Sequence, residues 1–255
     1  MENKKEKKTK IDIILPNYNS SQFIIRTIKS ILNQTYKSWK LIIVDDFSNK
    51  ETKDILKKFS KKKKIKVYWS KKNRGAGYCR NYAIKKSSSP YLAFIDSDDI
   101  WKKDKLKKQI NFMKKNNCSF SYTNYETFGD KNKQVNSPPK LSYSSFIKNT
   151  SIATSTMMVK RNKINNIKFS NTKICEDYFF KCKLLKKINF ALCLNQYLTK
   201  YRVRKGSLQS NNLKNCFWIW KINRDLNKLN FLNNFISLFF ISLNSLKKYG
   251  GKNIF

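Results

Sequence analysis

The sequence predicts an α/β fold: a mostly parallel central sheet flanked by helices, followed by a helical extension at the C-terminus. Three observations predict it. Short, continuous apolar runs alternate with stretches of helical periodicity through the first hundred residues, the pattern of strands buried on both faces and joined by crossover helices. The runs end in amide and carboxylate residues: Asn17, Asp45, Asp46, and Asp96 to Asp99. The composition of the 255 residues, 40% hydrophobic and 14% aromatic, is enough for a packed core, well outside the disordered class.

Each element follows in order. "IDIIL" (11–15), ended by Pro16, reads as a strand. In 20–34 the residues Phe23, Ile24, Ile28, Ile31 and Leu32 recur at helical spacing, with Ser20 or Ser21 as N-cap. "KLIIVDD" (40–46) is a second strand, 51–59 a helix, "IKVYWS" (65–70) a third strand, 77–87 a helix after a pair of glycines, and "YLAFID" (91–96) a fourth strand. After residue 101 the alternation loosens. A helix is expected over 102–117, a strand over 118–128, a loop over 132–140, a strand over 154–161 and a helix over 175–187. From residue 211 the chain reads as helical, ending in "FLNNFISLFFISLNSLKKYG" (231–250).

The 55 basic and 16 acidic residues give a formal charge of +39, which invites a nucleic-acid or anionic-membrane partner. Nearly all the cations are Lys, with only seven Arg, and Asn and Ile are abundant too. That joint bias is what AT-rich codons give, whereas phosphate and base recognition recruits Arg forks. No nucleic acid is therefore expected as partner. His is absent and the six Cys show no Cys-x-x-Cys spacing, which argues against zinc and for reduced thiols in a cytoplasmic protein. "MENKKEKKTK" lacks the apolar core of a signal peptide, and no apolar run reaches the roughly 18 residues of a membrane span.

In an open α/β sheet, ligands sit beyond the carboxyl ends of the strands, which singles out the residues ending these runs. In "FIDSDDIW" (94–101), Asp96, Asp98 and Asp99 fall within four residues. Carboxylates so close repel one another, and a hard divalent cation such as Mg²⁺ or Mn²⁺ removes that cost. Helix capping would explain the same acids without a metal. In "VDDFS" (44–48), Asp45 or Asp46 can accept a hydrogen bond from an imide N–H such as uracil offers, or cap the next helix. "NRGAGYCRN" (73–81) sets Gly75 and Gly77 at a helix start, where backbone N–H groups can face an anion, and Arg80 can pair with phosphate or carboxylate.

"ILPNYNS", "IIVDDFS", "NRGAGYCRN", "FIDSDDIW", "CEDYFF" and "YRVRKGSLQSN", in that order, resemble the family 2 glycosyltransferases of A-type nucleotide-sugar fold, and among them the branch that assembles teichuronic acid, capsule and lipopolysaccharide side chains. The resemblance spans about residues 11–225. It implies a catalytic domain over 11–205, divided into a nucleotide-binding half (11–100) and an acceptor half (101–205), between a basic tail (1–10) and a helical extension (206–255). Pro16, Asn17, Tyr18, Asp46 and Asn73 would line the nucleoside pocket, Asp46 in preference to Asp45 on uracil, with Gly75 and Ser97 also on the nucleotide sugar. Arg80 would lie near the diphosphate or order the Asp-x-Asp loop. Asp98 would ligate Mn²⁺ or Mg²⁺, Asp96 would serve metal, ribose or sugar, and Asp99 would contact sugar or cap the next helix. The pair Glu176–Asp177 would supply the catalytic base, Asp177 first.

The implied activity is inverting transfer of a sugar from a nucleotide-diphosphate donor, a UDP-sugar, to a hydroxyl of a surface polysaccharide or lipid-linked saccharide. One departure stands out. Many relatives carry a His in the segment matching "YRVRKGS", and this chain has none; Arg202, Arg204 or Lys205 can bring charge to a diphosphate there but would not ligate a metal. The tail 231–250 either lies at a membrane interface with its Lys on anionic lipid or packs on the catalytic domain. A nucleic-acid-binding protein without catalysis and a metal-dependent nucleotidyltransferase are the alternative functions. The first leaves the ordered carboxylates unexplained, and the second does not need Glu176–Asp177.

Overall fold

A computed structural model describes residues 9–204 and 212–249; most of the basic tail, Lys205 and the start of the C-terminal extension lie outside the described residues. The first half follows the expected alternation: β1 (Ile11–Asn17), α1 (Ser21–Leu32), β2 (Trp39–Asp45), α2 (Lys50–Ser60), β3 (Ile65–Trp69), α3 (Ala76–Lys85) and β4 (Tyr91–Phe94). These four strands pair in parallel in the order β3-β2-β1-β4. Side chains along a strand alternate between faces, so Ile14, Ile42 and Val44 enter one core, while Ile13, Leu15, Leu41 and Ile43 enter the other. Both faces are apolar because both are covered, which is why the strands read as unbroken apolar runs.

The remainder comprises β5 (Ile100–Trp101), α4 (Lys105–Lys115), β6 (Phe120–Gly129), β7 (Lys133–Val135), β8 (Lys140–Ser142), α5 (Tyr143–Asn149), β9 (Met158–Lys160), α6 (Glu176–Ile188), β10 (Phe190–Val203), α7 (Asn212–Asp225) and α8 (Phe231–Tyr249). The sheet continues β4-β9-β6-β10-β5, with β9 antiparallel to both neighbours and β6 and β10 parallel to each other.

Three expectations need correction here. The loop expected over 132–140 contains β7, which pairs with β6, and ends at β8, which pairs with β10; three-residue strands are too short to show a period. The strand expected over 154–161 shrinks to β9, and Thr154–Thr156 form a 3-10 turn. The fourteen-residue β10 has no counterpart in the sequence reading. Its register against β6 shifts twice between Leu194 and Thr199, so its inward and outward positions change parity and the alternation is lost.

Candidate active site

The carboxyl ends of β1 and β2 lie side by side, with Asn17 opposite Asp45. Asp45 is wholly buried. Its carboxylate accepts from Asn17 Nδ2 at 2.8 Å, Ser48 Oγ at 2.6 Å and Ser48 N at 3.0 Å, so it fastens the turn after β2. The Asp46 carboxylate accepts the main-chain N–H groups of Arg74 (2.8 Å) and Gly75 (2.7 Å), and the Asp46 carbonyl lies 3.5 Å from Asn73 Nδ2. Gly75, at φ +86°, precedes α3, a left-handed conformation that glycine adopts without strain. A carboxylate oxygen that accepts one hydrogen bond keeps a second lone pair, so Asp46 retains acceptor capacity at this edge. Pro16 is buried within β1, Tyr18 is exposed just beyond it, and Phe47 stands exposed beside Asp46. Phe47 was not singled out by the sequence; an aromatic after an Asp pair carries no signal of its own.

Beyond β4 the acid loop is held from three sides. Ser155 Oγ accepts the Asp96 N–H at 3.0 Å. Thr27 Oγ1 on α1 donates to the carbonyls of Ser97 (3.0 Å) and Asp99 (2.8 Å). The buried Asp99 carboxylate accepts the Arg202 N–H at 2.8 Å and so ties the loop to β10. Burial, then Asp98 and Asp96, push the Asp99 carboxyl well above the usual range. Asp99 is thus an internal fastener, and the residue before α4 is Asp104, so the expectation that Asp99 caps that helix is replaced. Asp96 and Asp98 stay open, with side chains 29% and 24% exposed. Burial and then Asp96 raise the Asp98 carboxyl, against the lowering pull of Arg204, whose Nε is 3.6 Å away.

Glu176 and Asp177 occupy the first turn of α6. Arg80 on α3 reaches both acid groups at once, with Nη2 2.6 Å from Asp96 Oδ1 and Nη1 2.5 Å from Glu176 Oε1. It is almost completely buried, over the Phe169 ring. Burial works to lower its pKa, but Asp96, Glu176 and Asp177 outweigh that, and the guanidinium stays charged. Gly77 allows this approach: a Cβ there would lie 2.5 Å from the Ser170 carbonyl and 3.1 Å from Glu176 Cγ. Lys181 Nζ and Thr154 Oγ1 each bond Asp177 Oδ2 at 2.6 Å. Burial alone would raise the Asp177 carboxyl, yet Lys181, and then Arg80, bring it below the usual carboxylate range. Glu176 goes the other way, raised by burial first against the pull of Arg80.

The site therefore gathers Arg80, Asp96, Asp98, Glu176 and Asp177 around one edge. The sequence reading missed Thr27, Thr154, Ser155 and Lys181. Lys181 stands four residues after Asp177 on a helix, a spacing that favours pairing and was legible; the hydroxyls were not.

Among the described residues no group of three or more His, Cys, Asp or Glu is arranged to hold a metal. The donor set nevertheless fits a hard cation. Two partly exposed carboxylates stand together, Asp98 with a raised pKa and Asp96 with only Oδ1 engaged by Arg80, and Mg²⁺ typically takes one or two protein carboxylates with water and phosphate oxygens for the rest. Arg202, its guanidinium between the Phe23 and Phe128 rings, and Arg204 put positive charge beside Asp98.

A cleft of about 470 Å³ is lined by residues 133–138 with Asn149, Ser151 and Asn244. Ser151 lies three residues before Thr154, which holds Asp177.

The family model described as "Glycosyl transferase family 2" matches residues 12–181. The chain is 36% identical over 227 residues to TuaG of Bacillus subtilis, a glycosyltransferase assigned to teichuronic acid biosynthesis, covering 87% of this chain and 90% of that protein. It is 35% identical over 215 residues to the UDP-Glc:α-D-GlcNAc-diphosphoundecaprenol β-1,3-glucosyltransferase WfgD of Escherichia coli, covering 83% and 84%. Among solved structures, a mannosyltransferase of Pyrobaculum calidifontis in complex with GDP-Man and Mn²⁺ superposes with a TM-score of 0.72 at 13% identity, over 94% of this chain and 74% of that one. This last likeness is one of fold.

Proposed function

The chain belongs to glycosyl transferase family 2, and from that premise we propose that it is a metal-dependent inverting enzyme. It moves a hexosyl or hexosaminyl group from a UDP-sugar to a hydroxyl of a growing surface polysaccharide or lipid-linked saccharide. The observation that carries the reading is the Arg80 bridge, which sets the open Asp96–Asp98 pair and the Glu176–Asp177 pair on either side of one guanidinium. The donor half is residues 11–100 and the acceptor half 101–205.

Asp46, Asn73 and Tyr18 face the nucleoside, and a bound Mn²⁺ or Mg²⁺ would be held by Asp98 and Asp96 Oδ2, supplying charge to the diphosphate oxygens. Asp177 is the base. Lys181 and Thr154 both hold its Oδ2, leaving Oδ1 for the acceptor hydroxyl. That oxygen takes the proton as the hydroxyl oxygen bonds to the anomeric carbon, and the bond to the nucleoside diphosphate breaks with its electron pair on the leaving oxygen. One displacement at one carbon inverts its configuration, for the same geometric reason that single-step hydrolases invert. The depressed pKa keeps Asp177 ionised at neutral pH, at a cost in intrinsic basicity. The cleft beside Ser151 takes the acceptor saccharide. The WfgD relative, whose named acceptor is a diphosphoundecaprenol, supports a lipid-linked acceptor and work at a cytoplasmic membrane surface.

The test is a panel of nucleotide sugars with Mn²⁺ or Mg²⁺ and a lipid-linked or free saccharide acceptor, followed by chelator. Release of nucleoside diphosphate, stopped by chelator, with an inverted product anomer by NMR, is the expected result. Pyrophosphate from a nucleoside triphosphate would instead indicate nucleotidyl transfer. Steeply salt-dependent duplex binding with no sugar turnover would indicate a nucleic-acid protein.

A further inference from the structure

The last two helices pack one face on the protein and leave large apolar side chains exposed on the other. The inward face of α8 is mixed: Leu238 and Ile241 join the core, and beside them Asn234 is 1% exposed and Ser237 0%. Asn234 Nδ2 donates to the Trp220 carbonyl (3.1 Å), Ser237 Oγ to the Ile147 carbonyl (2.6 Å) and Asn244 Nδ2 to the Lys148 carbonyl (3.0 Å). The residues turned outward are aromatic and aliphatic. Phe231, Phe235 and Phe239, one turn apart, are 76%, 58% and 54% exposed, and Leu232 beside them and Leu213 and Phe217 on α7 are also exposed. Scattered exposed apolar side chains are ordinary, but a contiguous stripe marks an interaction surface.

We propose that this stripe is a membrane-seating surface, with α7 and α8 lying in the headgroup region of an anionic bilayer. This deepens the membrane-surface part of the reading above and rests on it. Two features select lipid over a second copy of the chain. Residues 212–249 carry six basic residues and one acidic one, so two such faces brought together repel, whereas anionic lipid attracts them. The stripe is also flanked by Trp218 and Trp220, with Trp220 edge-on to Phe231, amphipathic rings of the kind enriched at headgroup depth. No described helix is long and apolar enough to cross a membrane, so the helices lie on the surface.

The seat is bolted to the catalytic helix. Tyr178, next to Asp177, donates from its hydroxyl to Asn223 Oδ1 on α7 (2.8 Å), and Asn223 Nδ2 donates to Ser237 Oγ on α8 (3.0 Å). A buried, connected polar network of this kind fixes one relative arrangement. Lipid contact would therefore orient α6, and with it Asp177, relative to the bilayer that holds the acceptor.

The experiment is vesicle co-sedimentation of the full chain with phosphatidylglycerol-containing and with pure phosphatidylcholine vesicles, for the wild type and Phe235→Ser/Phe239→Ser. The wild type is expected to bind the anionic vesicles, and the double variant to bind about tenfold or more weakly. Tryptophan emission of the wild type should be quenched by brominated acyl chains, a readout that survives if the variant misfolds. Equal binding by both proteins, or binding without quenching, would reduce the contact to lysine charge and overturn the proposal. So would absence of binding, or a concentration-dependent dimer that the double variant abolishes. Sugar transfer to a soluble acceptor, measured in parallel, is expected to be the same in both proteins; its absence from the wild type would count against the enzymatic reading and leave the vesicle result standing.

Discussion

The two acid pairs of the site are chemically alike and electrostatically opposite. Glu176 and Asp177 are the less exposed pair, with side chains 14% and 16% exposed, and each has an internal cation: Arg80 on one, Lys181 on the other. Asp96 and Asp98 are partly exposed and close together, and although Arg80 takes one Asp96 oxygen, the Asp98 carboxylate has among the described residues the more distant Arg204, at 3.6 Å, with Arg202 nearby. The fold thus completes the charge balance of the α6 pair and leaves that of the acid loop unfinished. Charges without partners are costly away from water, and Asp177, which Lys181 and Arg80 hold below the usual carboxylate range, has its cation built in. The proposed metal would supply the missing cation on the other side.

The largest effect should come from the completed side. Asp177→Asn keeps the shape and removes the proposed base, and is expected to lower kcat about 10²- to 10⁴-fold with little change in donor affinity. Wild-type turnover in this variant would move the base elsewhere. Removing the cation that joins the pairs, by Arg80→Met, is expected to destabilise the fold by about 3–5 kcal/mol, because it strands Glu176. Urea unfolding measures this, and Arg80→Lys should restore only part, since an ammonium cannot fork to two carboxylates.

The unfinished side gives smaller and more selective effects. Asp98→Asn should lower kcat about 10²- to 10³-fold and move the Mn²⁺ titration to higher concentration, while unfolding stability is unchanged or improved because a repelling charge is gone. A matching loss of stability would make Asp98 a structural residue.

The smallest effect is at Asp99, and its sign depends on pH. Its folded pKa is raised, so its favourable contribution is full below the unfolded carboxylate range and is lost as pH rises through the folded value. Asp99→Asn keeps an acceptor for the Arg202 N–H without that loss. The variant should gain stability relative to wild type, by about 1 kcal/mol, over the window that opens as pH rises above the unfolded carboxylate range toward the raised folded value. A relative loss over that window would show that the ionised form is the one the fold prefers.

Legibility followed the range of the interactions. Strands β1 to β4 and their helices could be read because continuous apolar runs and helical spacing are local signals. β10 could not, because its bulged register against β6 scrambles the alternation. In the site, Asp96, Asp98, Glu176 and Asp177 were legible as types at telling positions. The division of labour within "DSDD" was not, because Asp99 differs from Asp98 only in facing the Arg202 backbone rather than solvent. Arg80 was visible beside its glycines, but its role as a bridge to Glu176, 96 residues away, was not. The hydroxyls of Thr27, Thr154 and Ser155 gave no signal, since Ser and Thr are common and only their neighbours in space make them fasteners.

By itself the sequence determined the α/β class, the strand-end placement of the carboxylates and the family, because these depend on periodicity and short motifs along the chain. Only the tertiary structure decided which carboxylates are neutralised from within and which are left partly open, and which face of α8 turns to the protein. Charge balance and burial are set by distances between residues remote in sequence, and no local pattern encodes those distances.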